Sequence, residues 1–149
     1  ATVNYNTYGV LYNWTAAMNG ASPSNANPSR VQGVCPTGWH LPSRNEWDQL
    51  VDYLGGDSIA GGKLKETGNL HWNNPNAGAT NESWFTAFAG GYRNDAGSFI
   101  NKGAIGSWWG SSTDVKGNAA ALSLSYSSSV ANIYYANKAF GFSIRCVKN

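Results

Sequence analysis

Two cysteines, Cys35 and Cys146, stand 111 positions apart, and what they do constrains everything between them. A metal pair or a reactive thiol is one reading. A metal pair needs further ligands at short spacing, and the only histidines are His40 and His71. The favoured reading is a disulfide that ties the end of the chain back to its first third. Closing so long a loop contributes ~4–5 kcal/mol in the chain-entropy model. A disulfide also implies an oxidising compartment, outside the cell or at its surface.

The 149 residues suit one domain spanning 1–149, and a domain of that size buries ~70% of the surface its unfolded chain exposes. Seven Trp, eight Tyr and five Phe supply bulky core material, while charged residues make up 12%, about half the usual share. Gly, Asn, Ser, Thr and Ala fill the difference, which suits a loop-rich extracellular fold. The net charge is +2 and the Lys and Arg residues are scattered. That leaves no clustered basic face to hold phosphates, so no nucleic-acid partner is expected. No apolar run approaches the ~18 residues of a membrane span. The sequence does not start on a basic-plus-apolar signal segment, so any export signal is expected to have been removed or to lie outside it.

Ser43 followed by Glu46 is a capping box, in which each side chain satisfies a free backbone donor at a helix start. Trp47, Leu50, Val51 and Leu54 follow at helical spacing, and Gly55 and Gly56 end the run. This predicts an amphipathic helix over 44–54. Tyr8–Met18 reads as a strand running into a short helix, and Gly20–Gln32 as a surface loop. Gly61-Gly62, Asn73–Asn76 and Gly90-Gly91 punctuate the next stretch, which predicts long loops over 61–97 with a short strand at 83–88. Residues 105–111 read as a strand. Alternating runs at 122–126, 130–135 and 140–146 predict an antiparallel meander. The class is α+β, with one or two helices and a small antiparallel sheet.

Several stretches resemble one family in its own order: GVCPTGWHLPSRNEW (33–47), AGGKLKETG (60–68), HWNNPNAGATNES (71–83), FTAFAGGYR (85–93), WWGSST (108–113) and GFSIRCV (141–147). They resemble the Fibrobacter succinogenes major paralogous domain, a family of bacterial cell-surface and secreted modules abundant in Bacteroidetes. The resemblance implies a C-type-lectin-like fold, in which Cys35 would bond to Cys146. HLPSRNEW is similar to a helix of the formylglycine-generating enzymes. The composition of 118–137 is similar to the variable regions of retroelement variable proteins; both groups are relatives on that fold. For function, the resemblance implies adhesion or glycan binding, although fold alone does not settle function.

The residues offer little for catalysis. Glycoside hydrolysis needs two carboxylates across a cleft, and nothing pairs Glu66, Glu82, Asp95 or Asp114. Glu46 is used as a cap, and Asp48 and Asp52 lie on the polar helix face. His40 is expected to be packed against loop carbonyls. His71, beside Trp72, has no recognisable nucleophile as partner, so no enzyme is expected. No cofactor is expected either. Asn74-Pro75-Asn76 lacks the carboxylate of calcium-dependent lectin triplets, Trp108-Trp109-Gly110 lacks their Asn-Asp, and neutral amides bind calcium poorly. A structural calcium on Asp95, Glu82 or Asp114 is allowed but not demanded.

Aromatic and amide surfaces remain, because sugars stack on Trp or Tyr while amides and hydroxyls bond their rims. Trp72, Asn73, Asn76, Trp108, Trp109, Ser123, Ser125, Tyr126, Asn132, Tyr134, Tyr135 and Asn137 are the candidate ligand-binding residues. Trp14, Trp39, Trp47 and Trp84 are assigned to the core. Strand alternation should turn one of Trp108 and Trp109 outward, and likewise one of Tyr134 and Tyr135. The expected function is non-catalytic recognition of a glycan or a cell-surface protein ligand, with glycan favoured. The alternatives are a protein-binding display surface over 118–137 and an accessory domain of a larger surface protein. The isolated domain is expected to be a monomer.

Overall fold

The computed structural model describes residues 2–149. In chain order its elements are α1 (Thr2–Tyr8), α2 (Trp14–Met18), β1 (Trp39–His40), α3 (Arg44–Tyr53) and α4 (Asp57–Leu64). Then come β2 (Tyr92–Arg93), β3 (Phe99–Ile100), β4 (Ile105–Thr113), β5 (Ala119–Ser125), β6 (Ala131–Ala136) and β7 (Val147–Lys148). This is an α+β chain with small antiparallel sheets, closed by a Cys35–Cys146 disulfide whose Cα atoms are 5.9 Å apart. No helix among the described residues is long and apolar enough to cross a membrane.

Helix α3 forms where the capping box places it. Ser43 Oγ accepts from the Glu46 amide, and Glu46 Oε2 accepts from the Ser43 amide at 2.8 Å. The same carboxylate oxygen also accepts from the Ser29 amide at 3.0 Å, so the cap reaches into the preceding loop. Trp47, Val51 and Leu54 are buried along the inner face.

Four helices form among the described residues, where one or two were expected. The additional helix of consequence is α4, which contains the Gly61-Gly62 pair that reads as a break. Tertiary packing overrides propensity here. A Cβ on Gly61 would collide with the Val130 carbonyl, and one on Gly62 with the Gly78 carbonyl. The glycines let α4 lie directly against neighbouring backbone.

The main sheet runs β4–β5–β6, with Trp108 opposite Leu122 and Leu122 opposite Ile133. The 140–146 run does not extend this meander, contrary to expectation. It returns along the other edge of β4, where Ser143 donates to the Ser107 carbonyl and accepts from the Trp109 amide. Residues 83–88 are not a strand either. They contribute one isolated bridge, Lys65 with Ala87.

Both faces of the sheet are covered. Trp108, Leu122 and Leu124 pack with Trp47, Val51, Leu64 and Trp72 on one side. Trp109, Ala121 and Ala136 pack with Trp14, Met18, Leu41 and Phe142 on the other, where Cys35 is also buried.

The contact of α4 with the 78 and 130 carbonyls should be intolerant of a methyl group. Gly62→Ala is expected to destabilise the domain by about 1–3 kcal/mol, as overpacking does, read as a lower urea midpoint with an unchanged slope. An unchanged midpoint would mean that α4 is not seated as described.

Candidate functional site

The structure separates the candidate residues into buried and accessible sets. Trp72 is buried, with Nε1 donating to the Ala87 carbonyl at 2.7 Å. Asn76 is also buried and uses Nδ2 to bind the Glu66 and Gly68 carbonyls. Asn73 is exposed, its amide bonded to the Gly103 carbonyl at 2.7 Å. Trp108 and Trp109 do point to opposite faces, yet both are buried (6% and 0% exposed). The expectation that one faces solvent is not met, because α3 and α4 cover one face and α2 with the C-terminal run covers the other.

Tyr134 and Tyr135 are both half-buried, so here too alternation does not mean exposure. Burial pushes the Tyr134 phenol above its ordinary pKa, and Tyr135 lies beneath the Arg44 guanidinium at 5.0 Å. Ser123 faces Asn132 across the β5–β6 pair, next to Ser107, whose hydroxyl donates to Ser123 Oγ at 3.2 Å. Ser125 ends β5, and Tyr126, just beyond it, packs against the first core. Asn137 is exposed and caps the following turn through the Ala139 amide. The structure therefore gathers Ser123, Asn132 and Tyr134 on one face. It does not join them to Tyr135 or to the 71–82 loop in a single aromatic surface.

What ties that loop to the sheet is a residue absent from the candidate set. Lys65 is fully buried, and its Nζ donates to the carbonyls of Ala77, Ser125 and Ser128 at 2.8, 2.9 and 2.8 Å. Burial pushes its pKa down to about 8, while the three acceptors favour the ammonium form.

The histidines sit in polar pairs. His40 is buried and bridges Glu46 Oε1 (2.7 Å) and Asn149 Oδ1 (2.6 Å), in place of the expected loop carbonyls. His71 Nδ1 lies 2.8 Å from Glu66 Oε2, with its ring stacked on Phe88 at 4.1 Å between centroids. Among the described residues neither ring is hydrogen-bonded to a serine, threonine or cysteine. No three His, Cys, Asp or Glu side chains among them converge on a metal position. The Asp114 carboxylate folds back on its own loop, accepting from the Lys116 and Asn118 amides.

Two tryptophans assigned to the core are at the surface. Trp39 is 40% exposed, and Trp84 is 85% exposed. Trp84 also has φ +58°, between Asn81 at +53° and Thr86 at +54°, a region that bulky and β-branched residues avoid. The loop is held there by many bonds. Asn81 Oδ1 accepts from the Thr86 amide (2.9 Å), the Trp84 amide donates to the Asn81 carbonyl (3.0 Å), and Ser83 Oγ donates to the Lys63 carbonyl (2.7 Å). A sequence signal for this existed, since Phe85, Ala87 and Ala89 alternate inward and leave Trp84 on the other side.

Trp84 stands on the rim of a cleft of about 360 Å³ that is also lined by Tyr8, Thr86, Ser143 and Arg145. Arg145 Nη2 donates to the Phe85 carbonyl at 2.7 Å, and the guanidinium stacks on the Phe85 ring at 4.2 Å. A second, more apolar cleft of about 600 Å³ lies between α1 and the β2–β3 hairpin, lined by Tyr5, Tyr92 and Phe99 among others. The two clefts share Tyr8 and Gly90.

Fold and clefts thus define an α+β, disulfide-closed domain with an aromatic-rimmed surface groove. The chain belongs to the Fibrobacter succinogenes major domain family, whose model matches residues 1–148. Comparison with curated proteins and with solved structures finds no match.

The Lys65 geometry makes a signed prediction. Below pH ~8 the folded and unfolded chains both carry the proton, whereas between ~8 and the unfolded value near 10.5 the unfolded chain holds it and the fold does not. Stability from this group therefore rises with pH across that window. Urea midpoints of the wild type and of Lys65→Met at pH 7 and pH 10 should show the gap widening at pH 10. A constant gap would mean that Lys65 titrates at the same pH in both states.

Proposed function

We propose that this domain is a non-catalytic recognition module, C-type-lectin-like in fold, of an exported or surface-displayed protein, and that it holds a glycan against Trp84. The observation that carries this reading is an indole 85% exposed on a left-handed backbone. That conformation costs about 1–2 kcal/mol for an L-residue, and an exposed indole returns little of it through packing. Strain of this kind, maintained by surrounding bonds, is a mark of a functional position. An indole face with hydroxyls and a guanidinium close by suits a pyranose, which offers an apolar face and a polar rim. The adjacency of the two clefts, which share Tyr8 and Gly90 in their lining, suits an oligomeric ligand. The disulfide accords with export.

The display alternative is less well supported. Within 118–137, Ala119, Ala120, Ala121, Leu122, Leu124, Ala131 and Ala136 are buried, and the exposed positions are limited to Ser127, Val130, Asn132 and Asn137.

A glycan array probed with the oxidised domain, with and without chelator, tests the proposal, and chelation is expected to leave the hits unchanged. Trp84→Ala should weaken binding about tenfold or more, equivalent to ~1.4 kcal/mol, with the melting temperature unchanged. Trp84→Gly should weaken binding equally while raising stability by about 1 kcal/mol, through relief of the left-handed backbone. Binding indifferent to both changes would place the ligand elsewhere, and an array without hits would overturn the glycan reading.

A further inference from the structure

The Trp84 cleft has an unusual charge balance. Among the residues that line it, Arg145 is the one charged side chain, and none is acidic. Arg145 takes part in none of the ion pairs found among the described residues, which are His40–Glu46, Arg44–Asp48, Lys63–Glu82 and His71–Glu66. Glu82, the nearest acid to Trp84 in sequence, is already matched with Lys63 at 3.4 Å.

The guanidinium is held in place rather than loose. One nitrogen is fixed on the Phe85 carbonyl, the planar group stacks on the Phe85 ring, and the neighbouring Cys146 is anchored by the disulfide to Cys35. Arg145 is an exposed residue, and partial desolvation of its guanidinium lowers its pKa from the ordinary arginine value, so the fork is both reachable by a ligand and without an acidic partner among the described residues. A guanidinium keeps five donors in a planar fork, and a single bond to a carbonyl leaves most of them free. Such a fork matches a carboxylate better than any neutral sugar hydroxyl.

We infer that the glycan bound at Trp84 is acidic, with the carboxylate of a uronic acid paired to the free edge of the Arg145 guanidinium. This rests on the Trp84 reading above and adds the ligand's charge to it. Trp84 supplies the stacking plane, Arg145 recognises the anion, and Thr86 and Ser143 line the same cleft.

The test compares three probes on the unmutated, oxidised domain by calorimetry at low salt: a galacturonic acid oligomer, its fully methyl-esterified form and a sulfated neutral oligosaccharide. The acid should bind at least tenfold more tightly than the ester, and the advantage should shrink as salt is raised. Arg145→Gln should bring the acid down to the level of the ester and leave ester binding unaltered, whereas Trp84→Ala should weaken both. Equal binding of acid and ester, both lost on Trp84→Ala, would overturn the charge assignment while leaving the glycan reading intact. Tighter binding of the sulfated probe than of the uronate would overturn the carboxylate in favour of a sulfate ester. Binding of none of the probes by a domain that scores neutral hits on the glycan array would overturn the acidic assignment, and no binding in either experiment would overturn both readings. Because the acid–ester comparison needs no mutation, the inference remains falsifiable even if Arg145→Gln folds poorly.

Discussion

The structure depends on a three-stranded sheet that is buried on both sides. An antiparallel sheet commonly leaves one face in water, but here Trp108 and Trp109 stand on opposite faces of β4 and each anchors a separate core. The strands must then be narrow where helices and loops come close. Ala119, Ala120 and Ala121 meet that need on β5. Gly110 meets it on β4, where an added Cβ would press on the Trp47 indole and where the Gly110 carbonyl already accepts from Trp14 Nε1 at 2.8 Å. Small residues in the sheet and large aromatics around it are two halves of one packing solution.

Around this sheet, residues 65–104 carry little regular structure, yet their buried backbone groups still require partners. Side chains supply them. The Lys65 ammonium gathers three carbonyls, the Asn76 amide takes two more, and the Trp72 indole takes the Ala87 carbonyl. At the other end of the molecule, Glu46 joins Ser29, Ser43 and His40. Long loops braced in this way form a shaped surface before any ligand arrives, which lowers the ordering cost of binding.

The proposed groove uses that bracing directly. Trp84 is exposed because the bonds around Asn81, Ser83 and Thr86 hold the chain in a left-handed path. Arg145 is positioned because Phe85, next to Trp84, offers it both a ring and a carbonyl. Backbone strain, aromatic stacking and an unpaired cation converge within one cleft.

Local chemistry determined a good part of this protein. The helix after Ser43 and the strands read at 105–111, 122–126 and 130–135, which form as 105–113, 119–125 and 131–136, follow from capping and local residue pattern, and these signals are legible without a tertiary context. The cysteine pair was equally legible, because little else in the sequence could use it. Tertiary structure decided the rest, for a physical reason. Whether an alternating side chain meets solvent depends on what covers its face, and for β4 the cover comes from residues such as Trp14, 96 positions from its bonding partner. The same distance effect made Gly61-Gly62 part of a helix, turned the final run onto the far edge of β4, and left Trp84 and, less fully, Trp39 exposed to solvent in place of Trp108 or Trp109.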